Sequence, residues 1–236
     1  MKRLALLLVV VTVLLGSCGA QGQGVGEMQN ESRAVQREDA KSVTAHLTMG
    51  AGELKVSGAA DALMEADFSY NVADWKPQID YEVSGEKGEL TVKQGSGDDG
   101  RLGGGARNEW NLRFNDDVPT DLVVKMGAGE SDLDLDSLTL TGLDLEVGAG
   151  ETTVDLTGDY AQDFDASIEG GVGEATVLVP SEVGVRVRAE DGLGKINAEG
   201  FRREGEAYVN DAYGDSDATL DVDVQGGVGQ INLQVV

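Results

Sequence analysis

A pair of glycines separated by one residue and followed by a polar residue occurs six times between stretches of alternating apolar and polar residues. Each copy lies between two stretches in which apolar and polar residues alternate, a period typical of β-strands with one buried face. The repeating unit is therefore predicted to be strand, glycine bend, strand. The predicted structural bend residues are Gly50, Gly52, Gly127, Gly129, Gly148, Gly150, Gly171, Gly173, Gly192, Gly194, Gly227 and Gly229.

The spacing of the repeats predicts the fold class. The second glycines at positions 129, 150, 173 and 194 recur every 21 to 23 residues, and periods near 20 indicate solenoids, whose rungs contact only their neighbours. Residues 42–236 contain no convincing helical pattern of ten or more residues. We therefore predict an all-β, single-chain β-solenoid with an irregular β N-terminal part, in which each unit stacks on the preceding one. The residues expected to face inward are Leu133, Leu135, Leu145, Val154, Leu156, Ile168 and Val177.

Glycine-rich turns can also bind phosphate groups. None of the six repeats continues into the dinucleotide pattern G-x-G-x-x-G, because Lys55 or its equivalent stands where the third glycine should be, and no P-loop ending in Gly-Lys-Ser/Thr is present. Glycine suits a sharp bend because it adopts positive φ without a Cβ clash and lets backbones approach closely. The repeats are therefore interpreted as structural, and no cofactor is expected.

The first residues have the features of a secretory signal. Lys2 and Arg3 precede an apolar run over residues 4–15, and Gly16 and Ser17 follow it. The run is shorter than the roughly 17–25 residues of a spanning helix. The sequence Leu-Gly-Ser-Cys ending at Cys18 resembles the bacterial lipobox, which implies that Cys18 is acylated and becomes the first mature residue. The alternative is an ordinary signal followed by an incidental cysteine.

Cys18 is the only cysteine, so the exported fold contains no disulfide and this thiol is free for lipidation. Two or more acyl chains hold a protein stably on a bilayer. We expect the protein to be extracytoplasmic and lipid-anchored to the bacterial cell membrane or the outer membrane. The predicted segments are a signal peptide over residues 1–17, a flexible tether over 18–41, an N-terminal β domain over 42–126 and glycine-bend repeats over 127–236.

The charge of the chain excludes one class of partner. The formal net charge is −25, and removal of residues 1–17 takes away Lys2 and Arg3 but no acid, which leaves −27. Such a chain repels nucleic acid, so no nucleic-acid partner is expected.

The repeat and the segments around it resemble the toast-rack family of bacterial cell-envelope proteins. The segments that carry this resemblance are Leu63 to Asn71, Trp75-Lys76-Pro77, Arg107 to Trp110, Gly129 to Leu133, Tyr208-Val209-Asn210 and Ala212-Tyr213-Gly214. The resemblance implies a toast-rack domain over residues 42–126 and a β-solenoid similar to the C-terminal domain of LiaF-type cell-wall stress regulators. It implies no catalytic residues.

Enzymatic activity is not expected. His46 is the only histidine, which excludes a multi-histidine zinc site, and its place on the outward phase of a strand near the tether argues against a histidine-based triad. Asp132, Asp134 and Asp136 share an outward strand face, but carboxylates are frequent enough here to be neighbours by chance. Stacked carboxylates would repel, so we predict weak stabilisation by divalent cations at Asp132, Asp134, Asp144, Glu146 and Asp155.

Taken together, these patterns predict a non-catalytic, membrane-anchored envelope lipoprotein. It would act as a binding or scaffold module for another envelope protein, and the family resemblance extends this role to cell-envelope stress sensing. A glycan-binding module that uses Trp75 is one alternative, and a carbohydrate-active enzyme on a β-solenoid is another. Trp110 and Phe114 share a phase with Leu112 and are expected to pack in the core or to cap it.

Overall fold

The computed structural model describes residues 25–96 and 105–236, so the predicted signal peptide and Cys18 lie outside the described residues. Within these ranges the chain forms one 3-10 helix, Ala73–Trp75, thirteen β-strands and no α-helix. The prediction of an all-β fold is confirmed. The strands are β1 (Gln29–Val35), β2 (Ser42–Ser57), β3 (Met64–Tyr70), β4 (Gln78–Ser84), β5 (Lys87–Lys93), β6 (Asn108–Phe114), β7 (Thr120–Asp134), β8 (Leu140–Asp155), β9 (Phe164–Val179), β10 (Gly184–Glu199), β11 (Arg202–Glu204), β12 (Ala207–Val209) and β13 (Thr219–Val235).

Six of these strands are long and contain a glycine doublet near their middle: β2, β7, β8, β9, β10 and β13. We call the part before the doublet the first limb and the part after it the second limb. In β7 the buried side chains include Leu122 and Val124 in the first limb and Leu133 in the second. Even-numbered residues are therefore buried before the doublet and odd-numbered residues after it. All three belong to one continuous core. The two limbs therefore form two layers that enclose a common interior, and all the residues predicted to face inward are buried.

The six long strands pair in parallel, with each glycine doublet in register with the next. Shorter strands extend the two layers at the ends. The first-limb layer continues into β5 and β4 at one end and into β12 and β11 at the other. The second-limb layer continues into β6, β3 and β1 beside β2. The result is a toast-rack-like stack of bent strands.

The stacking order corrects one sequence-based expectation. The long strands follow the order β2, β7, β8, β9, β13, β10, so the last strand of the chain lies between β9 and β10. The expectation that each unit stacks on the preceding one is therefore wrong for this end of the molecule. All units share the same pattern, and repeat spacing alone cannot distinguish which unit will be the neighbour of which.

The start of the described chain corrects a second expectation. Gln29–Val35, part of the predicted tether over residues 18–41, forms β1 and pairs with β3 along its whole length. This strand was missed because its side chains are mostly polar: Val35 is its one buried residue. The predicted boundary at 126/127 also falls inside β7, at its glycine bend, so one strand belongs to both predicted segments.

The β1 end of the stack is closed by aromatic and charged side chains. Trp110 is buried, lies edge-on to Phe68 at 5.4 Å between ring centroids, and donates a hydrogen bond to Asn108 Oδ1 at 3.0 Å. Beside them, Glu31 accepts a hydrogen bond from Tyr70 Oη at 2.7 Å and also pairs with Arg33. Burial raises the pKa of Glu31, but these partners outweigh it and hold the pKa below its usual value. Charged residues at such positions protect an edge strand from further pairing.

Candidate binding surface

The glycine doublets bring neighbouring backbones closer than any side chain permits. At Gly150, φ is +142°, and a Cβ atom would lie 1.7 Å from the carbonyl oxygen of Gly129 in the adjacent strand. The second glycines of the other bends have the same close approach, with the obstructing oxygen 1.7 to 2.1 Å away. These bends therefore form one continuous edge of the molecule, along which successive strands lie about 4.8 Å apart.

The residue between the two glycines points outward from this edge. These residues align across the six long strands, and we call them the bend column: Ala51, Ala128, Ala149, Val172, Val228 and Leu193. Its last three members are exposed by 57%, 47% and 74% respectively, and we call these three the apolar ridge. Three of the six exposed large hydrophobic residues in the described parts of the chain thus lie side by side. Contiguous exposed apolar surface marks interaction sites.

A small cavity lies beneath the apolar ridge. The residue before the doublet points inward and is Met126 in β7 and Val147 in β8, but Gly170 in β9 and Gly226 in β13. The missing side chains leave a cavity of about 30 Å³ that Ile231 also lines. Such a space holds no more than about two or three water molecules. The cavity therefore reduces support below the ridge but is too small for a metabolite.

A row of carboxylates runs beside the bend column. The residue after each second glycine is Glu53, Glu130, Glu151 and Glu174 in β2 to β9, and we call these four the glutamate row. All four are exposed. In the next two strands the same position holds Gln230 and then Lys195. The edge therefore changes from small and acidic at β2 to apolar and basic at β10.

The outer face of the first-limb layer holds ion pairs between the last two long strands. Arg186 Nε lies 2.5 Å from Asp221 Oδ1, and Arg188 holds Asp223 with two hydrogen bonds of 2.6 and 2.7 Å. The Arg188 guanidinium lowers the pKa of the Asp223 carboxyl. Bidentate pairs of this kind fix geometry as well as adding attraction, so they help to define β13 and β10 as neighbours.

The predicted carboxylate ladders are only partly present. Asp134 aligns with Asp155 in the next strand, whereas Asp132 aligns with Thr153 and Lys55. Glu146 is neutralised by Lys125, with 2.8 Å between Nζ and Oε1. In residues 25–96 and 105–236, no group of three or more His, Cys, Asp or Glu side chains is arranged to hold a metal ion. Stabilisation by divalent cations stays a prediction.

We expect Asp134→Asn to stabilise the protein at neutral pH. Burial, and then repulsion from Asp136 and Asp155, raise the pKa of Asp134. An acid whose pKa is raised by folding destabilises the folded state above that pKa, and the cost disappears as the pH falls below the unfolded value. Thermal unfolding in low salt should show Tm higher by about 1–2 °C at pH 7 and unchanged at pH 3, as expected for about 0.5 kcal/mol.

The exposed Asp61, in the turn between β2 and β3, provides the matched control for this substitution. Asp61 is not a member of the Asp134–Asp155 pair, so Asp61→Asn removes the same charge without relieving their repulsion and should leave Tm unchanged. An equal rise in Tm for both variants would show that overall net charge, rather than this pair, limits stability.

Trp75 is not available as a surface platform for sugars. It ends the short 3-10 helix and is only 5% exposed, so the hypothesis of glycan binding through this residue is wrong. Trp110 and Phe114 are buried as expected. The feature that sequence reasoning missed is the apolar ridge, whose signal was the change from Ala to Val and Leu inside the glycine doublets.

Among the described residues, no helix has the length and apolar character needed to cross a bilayer. The family model for the N-terminal domain of toast_rack, DUF2154, matches residues 24–178. No curated protein matches the chain.

One solved structure is similar over most of the chain. It is a candidate cell adhesion protein from Clostridium sporogenes, with 37% sequence identity and a TM-score of 0.87, covering 89% of this chain and 100% of that chain. A candidate adhesin from Bacteroides fragilis covers 91% of this chain and 100% of that chain, but with 11% identity and a TM-score of 0.33 it carries no argument about this protein. The family match over residues 24–178 and the 37% identity together show that this chain belongs to the toast-rack family.

Proposed function

We propose that this protein is a non-catalytic adhesion or scaffold module that faces the exterior of a bacterial cell and binds through its bend column. The observation that carries the proposal is the apolar ridge, where three large side chains are exposed side by side on a rigid edge. Exposed apolar patches of this kind mark binding surfaces, and a site on packed strands is held more firmly than one on a loop. The name of the Clostridium sporogenes relative, a candidate cell adhesion protein, supports the same role.

Adhesion is tested with beads that carry the exported chain, residues 18–236, and intact cells of the source bacterium. We expect Leu193→Glu and Val228→Glu each to reduce bead binding at least about tenfold, because a buried, unpaired charge costs on the order of 1.4 kcal/mol or more at an interface. The matched control is Val236→Glu, which places the same charge at an apolar residue that is 62% exposed and follows the end of β13, at the opposite end of the second limb from Val228. Equal binding by all three variants would contradict the proposal.

The second part of the proposal is that a lipid on Cys18 holds the module on the membrane. The lipobox-like sequence that ends at Cys18 supports this anchor. We expect Cys18→Ser to move the protein from the membrane fraction to the soluble fraction and to abolish incorporation of labelled palmitate, because no acyl chain is then attached. Ser17→Ala keeps a small residue before the cysteine and should leave both readouts unchanged. A Cys18→Ser protein that still sediments with membranes would contradict the lipid anchor.

The most specific part of the proposal is a role in cell-envelope stress sensing, which is supported by the resemblance to the LiaF-type domain. It predicts that deletion of the gene alters survival under a cell-wall antibiotic. Complementation of the deletion strain with the Leu193→Glu variant should then fail to restore survival, whereas complementation with the Val236→Glu variant should restore it. Equal survival of the deletion strain and its parent would contradict the proposed role in stress sensing but would not affect the proposed role in adhesion.

A further inference from the structure

We propose that two copies of this chain pair edge to edge through their bend columns, with the stacking order of one copy reversed relative to the other. The pairing has two-fold symmetry, so β2 of each copy faces β10 of its partner. The inference rests on the proposed function, because it takes the bend column as the contact surface. It goes further by identifying the occupant of that surface as a second copy of the chain.

Side-chain size along the bend column fits this arrangement. The first three members of the column are alanines and the last three are larger, in the order Val, Val, Leu. Reversal brings every small residue opposite a large one, so the two edges approach at an even distance. The opposed pairs are Ala51 with the partner's Leu193, Ala128 with the partner's Val228, and Ala149 with the partner's Val172. Leu193, the most exposed of the large hydrophobic residues in the described ranges, is then covered.

Charge along the neighbouring row fits the same arrangement. Reversal places Glu53 opposite the partner's Lys195, and symmetry makes this ion pair occur twice. Glu130 faces the partner's Gln230, an acid opposite an amide donor. One kind of contact is unfavourable, Glu151 with the partner's Glu174, and symmetry makes it occur twice as well. Its repulsion is reduced because Asn232 Nδ2 already donates a hydrogen bond to Glu174 Oε1, at 2.6 Å.

Other pairings between copies are less favourable. If both copies stacked in the same direction, each member of the bend column would face its own counterpart, so the alanines would leave a gap between the two edges. The rotation that relates such copies would also carry their glutamate rows to opposite sides of the contact, so the Glu53–Lys195 pairs could not form. Pairing through β1 is opposed by Glu31 and Arg33, which place charges at that end of the stack. The reversed arrangement is thus favoured by both size and charge.

The contact area between the two copies is small, which limits the affinity of the pairing. Six strands spaced about 4.8 Å apart give an edge of about 24 Å, and so narrow a strip buries less than the roughly 1,200 Å² of typical stable complexes. The pair should therefore be weak in solution. Copies held on membranes meet at a high effective concentration, and many weak contacts then act together.

Sedimentation equilibrium of the exported chain with Cys18→Ser tests the pairing, because this substitution removes both the acyl chain and any disulfide between copies. We expect a monomer–dimer equilibrium between about 10 µM and about 1 mM in low salt. Lys195→Glu and Glu53→Lys should each raise the dissociation constant at least about tenfold, since each variant creates two like-charge pairs. The double variant E53K/K195E restores both pairs with reversed polarity and should bind within about threefold of the parent. Lys87→Glu, at the exposed start of β5, is the control and should change nothing.

A parent protein that is monomeric throughout this range overturns the proposal. So does a double variant that associates no better than the single ones, because the charges then do not face each other. Bead binding to cells that lack the gene separates the two proposals. Beads that bind such cells while the chain stays monomeric support adhesion to another partner and refute pairing between copies.

Discussion

Replacing Gly150 with alanine is expected to prevent folding or to lower the free energy of unfolding by more than about 3 kcal/mol. Two costs combine at this position: φ is +142°, and the new Cβ would lie 1.7 Å from the carbonyl oxygen of Gly129. The obstructing atom is backbone in a parallel ladder, so it cannot rotate away as a side chain could. Urea unfolding followed by circular dichroism measures the change.

The matched control for Gly150→Ala is Ala149→Val, one residue earlier in the same bend. Val172 occupies the equivalent position in β9, so this backbone accepts a branched side chain there. We expect Ala149→Val to change the free energy of unfolding by less than about 0.5 kcal/mol. If both variants are equally stable, the close approach of the bends is not what holds adjacent strands together.

Replacing Asn210 with alanine is expected to cost about 3–4 kcal/mol, because three buried backbone groups lose their hydrogen-bond partner. Asn210 is 1% exposed. Its Oδ1 accepts from Val185 N at 2.9 Å, and its Nδ2 donates to the carbonyl oxygens of Pro180 and Val183 at 3.0 and 2.7 Å. This one amide therefore joins the β11–β12 hairpin to the start of β10. Calorimetry should show Tm lower by about 10 °C.

Asn197→Ala is the control for this effect. Asn197 also donates a side-chain hydrogen bond, to Asn232 Oδ1 at 2.8 Å, but on an exposed surface where water can replace it. We expect a change below about 0.5 kcal/mol. A similar loss of stability in both variants would mean that burial of Asn210 does not determine its contribution.

The sequence predicted the architecture because two independent signals agree in every repeat. Alternation fixes which side chains face the core, and the glycine doublets fix where each strand bends. The buried Leu133, Leu145 and Val177 follow directly from these signals. β1 was missed because it lacks apolar alternation, although Gly24-Val25-Gly26-Glu27 immediately before it matches the repeat. That similarity to the repeat was the one feature of the sequence that could have predicted β1.

The candidate site was harder to predict for a physical reason. Alternation distinguishes inward from outward residues, but the middle residue of a bend belongs to neither phase. Whether Val172, Val228 and Leu193 form a surface also depends on which strands are neighbours, and the position of β13 between β9 and β10 brings Val228 between the other two. The ion pairs of Arg186 and Arg188 with β13 favour this order, but they join residues 35 positions apart and have no local signature.

The position of β13 has a consequence for biogenesis. β13 is the last strand in the sequence but completes the middle of the stack, so β10 cannot reach its place beside β13 until β13 has been synthesised. A product that stops before Thr219 would leave the side of β9 that pairs with β13 open, together with its buried Ile168 and Val177. The architecture therefore couples assembly of this end of the stack to synthesis of β13, and chains that end before it would be exposed to proteolysis and aggregation.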